Sequence, residues 1–335
     1  MTLTQLRYLV AIADSGLNIT QAALRVHATQ PGLSKQIKQL EAELGCQLFV
    51  RKGKSLDSIT PVGRQVLERA RLIVEESANI RSLVSNLRHE SHGELHIATT
   101  HTQARFVLPP VVAELKRRYK DVLVHIEPGG EEQALESLGA GQADFAITST
   151  AVRPPLGPLC LPIYRWDRVI LVPRAHPLDT TNKPLTLRQL SQYPLVSYES
   201  SLRSNSSLHQ AFARIGVKPN IAVTAQDADL IKTYVRSGLG VGVLAEMAIQ
   251  PSDLEDLSVI PGRNLFPVCT TWVVLRRDRL LRDFAFEFIG LFAPQLDTRT
   301  LRRLFESKEL LAAWPEPPRW DSRLAKSPSA ARTRA

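Results

Sequence analysis

Five consecutive residues, Thr99-Thr100-His101-Thr102-Gln103, follow the short apolar run Leu95-His96-Ile97-Ala98, and their chemistry is that of an anion receptor. Hydroxyls, a carboxamide and the free N–H groups of a following helix are neutral donors. Converging on one point, they suit a small tetrahedral oxyanion better than a cation. Simple helix capping would also place threonines there, so two further loops matter. Ser149 follows the run Ala143 to Ile147, and the serine-rich stretch Ser200 to Ser207 carries Arg203; both are expected to face the same cleft.

A second group lies near the N-terminus. In TQAALRVHATQPGLSKQIKQLEAELG, residues 20–45, Leu33, Ile37, Leu40 and Leu44 recur at helical spacing and are expected to face a core, which turns Gln30, Ser34, Lys35 and Lys38 toward other faces. Two short helices tightly joined, the second with a polar edge, have the layout of a DNA-reading helix-turn-helix. Thr29 is the expected N-cap, and Pro31 stands where a missing N–H costs nothing, which brings the free amides of the helix start near the groove and its phosphates.

An ordinary solvated surface helix has the same amphipathicity, but the flanks favour DNA. LTQLRYLVAIADSG reads as a helix packing Leu6, Leu9, Val10 and Ala13 inward, Cys46 to Val50 as a strand, Arg51-Lys52-Gly53-Lys54 as a cationic turn and Ser55 to Ile59 as a returning segment. That is a β-wing, with Arg51, Lys52 and Lys54 able to reach phosphates or the minor groove.

From Thr60-Pro61 one long helix is expected, with Val66, Ile73, Ile80 and Leu87 seven apart and Ala70, Ser77 and Val84 in the alternate seam, the pattern of a coiled coil that pairs two heads. Residues 89–93 end it as a hinge. Strands and helices then alternate. Strands are expected at 95–98, 123–126 and 143–147, then at 168–172, 195–198, 221–224 and 241–244, with 269–275 returning to the first lobe. Helices are expected at 108–119, 131–138, 207–215 and 227–237. Two α/β lobes joined by crossing strands enclose a cleft at strand C-termini. The expected division is 1–60 winged helix-turn-helix, 61–92 linker helix and hinge, 93–295 two-lobed effector-binding domain, and 296–335 a terminal helix with a disordered basic tail.

Charge fits this plan. Of 335 residues with net charge +9, Lys and Arg outnumber Asp and Glu 12 to 8 over residues 1–90, match them 21 to 21 over 91–298, and lead 9 to 4 over 299–335, so the basic excess lies outside a neutral middle. No apolar run approaches membrane-spanning length and Arg7 interrupts the first apolar stretch, so a cytoplasmic protein with no membrane partner is expected. Cys46, Cys160 and Cys269 are scattered and lack ligand spacing, so neither a disulfide framework nor a zinc site is expected, although a redox pair of Cys160 and Cys269 stays open. An enzyme is not expected: His101 and His125 lack a triad, Asp227 and Asp229 fit a helix start, and no phosphate loop occurs. No cofactor and no metal are called for.

The stretch QLRYLVAIADSGLNITQAALRVHATQPGLSKQIKQLEAELGCQLFVRKGKSLDSITPVG resembles the winged head of LysR-type transcriptional regulators. IATTHTQARFVLPPVV, GQADFAITS, PIYRWDRVILVPRAHPL and QDADLIKTYVRSGLGVGVLAEMA resemble that family's CysB/Cbl-like subgroup, and the match runs from residue 1 to about 295. The resemblance implies a periplasmic-binding-protein-like effector domain, a homotetramer and control of sulfur assimilation. It also implies promoter DNA as partner, RNA polymerase as a further one, and a small sulfur-containing anion or acetylserine in the cleft. Carried over residue by residue, it implies effector contacts from Thr100, Thr102 and Gln103, from Ser149 where the subgroup has threonine, and from Trp166. Arg203 stands where a threonine hydroxyl is usual. Pointing inward, its guanidinium would admit a larger or more highly charged ligand; pointing outward, plain sulfate would suffice. A ligand-independent architectural DNA-binding protein is the alternative reading.

Overall fold

The computed structural model describes residues 1–335 except 54, 152, 180–183, 307–314 and 322–335. Lys54, the second half of the expected terminal helix and the last part of the tail therefore lie outside the described residues. The chain divides into two compact units, residues 1–89 with 278–282, and residues 90–277 with 283–335.

The first unit opens with α1 (Leu3–Asp14), α2 (Ile19–Arg25) and α3 (Gln30–Leu44), each started by a side chain that accepts a free helix amide: Thr2 from Gln5, Asn18 from Gln21 and Thr29 from Gly32. Leu6, Leu9, Ile12, Leu33, Ile37 and Leu40 form the core, with Val10 and Ala13 half-buried against it. Leu44, expected inside, is 38% exposed; it occupies the last turn, just before the left-handed Gly45 ends the helix. The wing is β1 (Phe49–Lys52) paired antiparallel with β2 (Ser55–Ile59). Cys46 and Gln47 are not in a strand, and Arg51 and Lys52 belong to one, so the turn is shorter than the sequence implies. The long helix α4 (Pro61–Leu87) starts at Thr60. Gly63 is needed there, because a Cβ at that position would meet the Leu48 carbonyl oxygen at 2.1 Å. Arg71 of α4 ion-pairs with Asp14 of α1.

In the second unit, lobe one takes β3 (Gly93–Thr100), the short α5 (His101–Phe106), α6 (Leu108–Arg118), β4 (Val122–Gly129), α7 (Glu131–Gly139), β5 (Phe145–Thr150) and β6 (Leu159–Trp166). The chain then crosses into lobe two: β7 (Arg168–Pro173), α8 (Leu187–Leu190), β8 (Leu195–Tyr198), α9 (Ser207–Arg214), β9 (Ile221–Ala225), α10 (Ala228–Arg236), β10 (Val241–Ala245) and β11 (Leu257–Pro261). It returns through β12 (Cys269–Leu275), followed by α11 (Asp283–Phe292) and α12 (Thr298–Glu306). The two five-stranded sheets run β4-β3-β5-β12-β6 and β11-β7-β10-β8-β9. In each, three neighbouring strands are parallel: β4, β3 and β5 in lobe one, and β10, β8 and β9 in lobe two.

The disordered tail expected from residue 315 onward is corrected for its first part. Residues 315–321 dock beside β6: Arg319 reaches Asp167, Arg165 reaches Glu316, and the Trp320 ring lies 5.2 Å from that of Tyr164. Aromatic and charged partners in one short segment outweigh its proline-rich composition.

Candidate nucleic-acid interface and anion cleft

On α3, every third or fourth residue is buried, so the others form a continuous outer face. Pro31, Ser34, Lys35, Lys38, Gln39 and Ala42 line one shallow concave surface, with Thr29 and Gln30 exposed at its N-terminal end. Among the described residues neither Lys35 nor Lys38 has a carboxylate partner. The wing is tied to this helix by Glu41, which accepts from the amides of Leu48 (2.9 Å) and Phe49 (3.3 Å) and ion-pairs with Arg51 at 2.8 Å. Arg51 thus braces the wing, while the Lys52 ammonium is left for solvent or phosphate. Gln39 was not among the residues picked out from the sequence; it lies one turn beyond Lys35 on the same face.

The cleft gathers its residues from both lobes. Thr100 ends β3, half-buried, with a hydroxyl that caps nothing. Thr102 donates across the cleft to the Tyr198 hydroxyl, 3.3 Å away, and that oxygen also accepts from the Ala245 amide. Gln103 is 1% exposed, and its carboxamide is largely engaged: Oε1 accepts from the Tyr164 hydroxyl and Nε2 donates to Thr271 Oγ1 at 3.3 Å. Thr271 Oγ1 also lies 3.0 Å from Ser149 Oγ. Gln103 is therefore a floor piece that fixes Ser149 through Thr271. Tyr164, Thr271, Trp166 and Cys269 share one face, because Tyr164 pairs with Thr271 and Trp166 with Cys269 across β6 and β12.

Two buried donors in this region lack acceptors among the described residues: the Trp166 indole N–H and one terminal nitrogen of Arg168. Arg168 is 5% exposed. Its Nε donates to Ser207 Oγ, Ser207 Oγ in turn lies 3.5 Å from the Cys269 thiol, and its guanidinium lies 6.0 Å from the centre of the Tyr198 ring. Burial pushes up both the Tyr198 phenol and the Cys269 thiol, so each stays protonated as a neutral donor at neutral pH. No carboxylate contacts this guanidinium among the described residues. A buried cation without a counter-charge is costly, and an anion in the cleft is the group that would complete it.

Arg203 ion-pairs with Glu132 of α7 at 3.1 Å, with its side chain 37% exposed, so the guanidinium sits on the rim and bridges the lobes. The neighbouring Glu131 carboxyl is pushed up by burial, against the pull of Arg203. A second pair between the lobes joins Arg105 of α5 to Asp229. A concavity lined from both lobes by His101, Arg105, Pro128, Asp227 and Asp229 includes neither Thr100 nor Thr102. The serine loop is mostly self-contained: Ser197 and Ser201 hydroxyls are 2.9 Å apart and Ser206 caps α9, which leaves Ser207 for Arg168. Arg168, Tyr164, Tyr198 and Thr271 were missed from the sequence. The available signal was Arg168, a charge opening the otherwise apolar run RVILV.

Comparison with known proteins gives a consistent picture. Residues 3–64 match the family of bacterial regulatory helix-turn-helix proteins, lysR family, and residues 88–297 match the LysR substrate binding domain. The chain is 39% identical over 322 residues to the HTH-type transcriptional regulator CysB of Haemophilus influenzae, covering 92% of this chain and 99% of that protein. It is 36% identical over 310 residues to the HTH-type transcriptional regulator cbl of Escherichia coli (strain K12), covering 92% and 98%. The crystal structure of the cofactor-binding domain of the Cbl transcriptional regulator superposes with a TM-score of 0.59 at 35% identity, covering 65% of this chain and 96% of that one.

Proposed function

The chain belongs to the lysR family of bacterial regulatory helix-turn-helix proteins, and we propose that within it the protein controls genes of sulfur assimilation or sulfonate use by sensing a small sulfur-containing anion. The observation that carries this reading is Arg168, a buried guanidinium without a carboxylate, set among the neutral donors of Trp166, Tyr198, Ser207 and the threonine loop. A sulfate, sulfonate or adenylyl sulfate head supplies several oxygens and the missing negative charge. Thr100, Thr102, Ser149 and Trp166 are the proposed effector contacts beside Arg168, with Gln103 as the floor beneath them and Arg203 on the rim. Gln30, Pro31, Ser34, Lys35 and Lys38, with Thr29 at the helix start, are the proposed groove readers, and Arg51, Lys52 and Lys54 the wing contacts.

The protein acts as an activator in this reading, in the cytoplasm, as a homotetramer that engages promoter DNA and RNA polymerase. Pairing rests on α4, whose Ile73, Ile80 and Leu87 are 45%, 57% and 72% exposed in the single chain and recur at seven-residue spacing. Replacing Ile73 and Ile80 together by Asp puts carboxylates into that seam, and sedimentation should then show the paired species lost. Intact dimers would end the heptad reading.

The decisive experiment is calorimetric titration of the full-length protein with sulfate, thiosulfate, adenylyl sulfate, O-acetylserine, N-acetylserine and short sulfonates, followed by mobility shift on promoter DNA with and without the ligand that binds. A sulfur anion should bind one site per chain and alter the DNA contacts. If none of the panel binds, or if DNA contacts ignore every ligand, the protein is an architectural DNA binder instead.

A further inference from the structure

Away from the cleft, at the opposite end of β3, three side chains bring metal-ligand atoms together. β3 and β4 are parallel, and their register sets His96 directly beside His125. Glu94 stands two residues before His96 and so on the same face. The two imidazoles are stacked, with centroids 4.3 Å apart and planes 5° from parallel. Their Nε2 atoms lie 3.1 Å (His96) and 3.8 Å (His125) from one and the same oxygen, Glu94 Oε2. All three ligand atoms fall within 4.8 Å of one another.

From this juxtaposition we infer that Glu94, His96 and His125 form a binding site for a divalent transition-metal ion of the zinc type. Bonds of about 2.0–2.2 Å from nitrogen and oxygen to a tetrahedral zinc put neighbouring ligand atoms about 3.4 Å apart, and the two nitrogen–oxygen separations bracket that value. Two imidazole nitrogens and one carboxylate oxygen suit zinc, cobalt, nickel or copper; magnesium and calcium prefer all-oxygen sets. The backbone is already placed, because consecutive ladder bonds hold both strands. What remains is rotation of exposed and half-exposed side chains about their own bonds, so that the stacked rings turn their nitrogens onto one point and a water takes the fourth position.

The site is independent of the anion cleft. Glu94 and Thr100 are six residues apart on one strand, about 20 Å at strand rise. β4 is the outermost strand of its sheet, so the ion would cross-link the sheet edge where the second unit begins. Binding a metal only in the folded state raises stability by mass action. The expected consequence is a melting temperature that depends on zinc.

The test uses untagged full-length protein freed of metal by a chelator. It is titrated with zinc in competition with a chromophoric chelator and with cobalt by visible absorption, and the histidine ring protons are followed by NMR. One ion should bind per chain and shift the ring signals of two histidines. His96→Gln and His125→Gln should each weaken binding by about tenfold or more. Glu94→Gln should do the same, and His92→Gln should leave affinity unchanged. Because Glu94 and His125 are exposed and His96 is half-exposed, circular dichroism of each variant should match the parent. Failure of zinc to bind at micromolar concentration, or binding that survives both histidine replacements or disappears with His92→Gln, overturns the site. None of these outcomes depends on which anion, if any, the cleft accepts.

Discussion

The outer face of α3 and the cleft between the lobes both present positive charge, but under opposite conditions. Lys35, Lys38 and Lys52 are exposed and lack carboxylate partners among the described residues, whereas Arg168 is 5% exposed with one nitrogen unsatisfied. Exposed ammonium groups attract phosphate through solvent and are screened by salt within about a Debye length, near 10 Å at 0.1 M. A buried guanidinium is screened far less. It acts on whatever displaces water from it, so its attraction is selective. The head is therefore suited to adjustable, many-sequence affinity and the cleft to a yes-or-no response to one ligand.

The largest effect should come from removing the buried charge. Arg168→Met should weaken the effector by about 2–5 kcal/mol, the range for truncating one member of a desolvated charge pair, while folding stability holds or rises because an unpaired buried cation is gone. Calorimetry with the best-binding sulfur anion and thermal unfolding without ligand check both halves. An unchanged affinity would remove Arg168 from the site and erase the contrast with the head.

On the exposed side, Lys52→Ala should weaken DNA binding of all sequences and flatten its salt dependence, lowering the slope by about one. Gln30→Ala should cost about 1–3 kcal/mol of discrimination at one base step and leave the salt slope alone. Mobility shifts at several salt concentrations on matched and altered sites separate the two. Wild-type behaviour from both variants would take the interface away from this face.

A smaller change sharpens the cleft. Thr102→Ala removes a neutral hydroxyl, about 1 kcal/mol, so effector affinity should drop several-fold with DNA affinity in the absence of effector retained. Full retention of effector affinity would mean that the Thr102–Tyr198 bond is only a lobe contact.

The smallest effect belongs to Arg203. Its pair with Glu132 is exposed, and such pairs contribute about 0.2–1 kcal/mol, so Arg203→Thr should change effector affinity no more than a few-fold across the ligand panel. Glu131 should respond more visibly. Its carboxyl is raised by burial and pulled down by Arg203, and losing the guanidinium lets it rise further. A carboxyl raised in the folded state binds protons better folded than unfolded, so stability falls as pH climbs from its unfolded value through its folded one. The variant should show that fall extending to higher pH than the parent. A large, ligand-selective loss of affinity would instead bring Arg203 into the pocket.

The difference between the two regions also governs what could be read from the sequence. The α3 face is one contiguous segment, and a 3.6-residue period alone sorts Leu33, Ile37 and Leu40 from Ser34, Lys35 and Lys38; only Leu44, in the last turn, departs from it. The cleft comes from separate strand ends, with Gln103 bonded to a residue 168 positions away, and no local pattern encodes such pairings. β6 and β11 escaped notice because each contains a proline, Pro162 and Pro261. Within a sheet proline is confined to edge strands, strand ends and bulges, and both strands are outermost in theirs. Register likewise hid the histidines: His96 and His125 are unremarkable in sequence, and become neighbours only once β3 and β4 are aligned residue by residue.

Asp167 lies in the crossing between β6 and β7. It accepts from Arg263, 3.0 Å away in the return crossing, and from Arg319 near the end of the described chain. One carboxylate thus ties both connections between the lobes to the segment 315–321. Cutting the chain before residue 315 would leave the residues of the cleft in place while removing one of the two cations that share this carboxylate, so the lobes would keep a complete cleft on looser connections. A short distal segment thereby serves as a splint across the two crossings, and removing it should widen the range of angles the lobes sample.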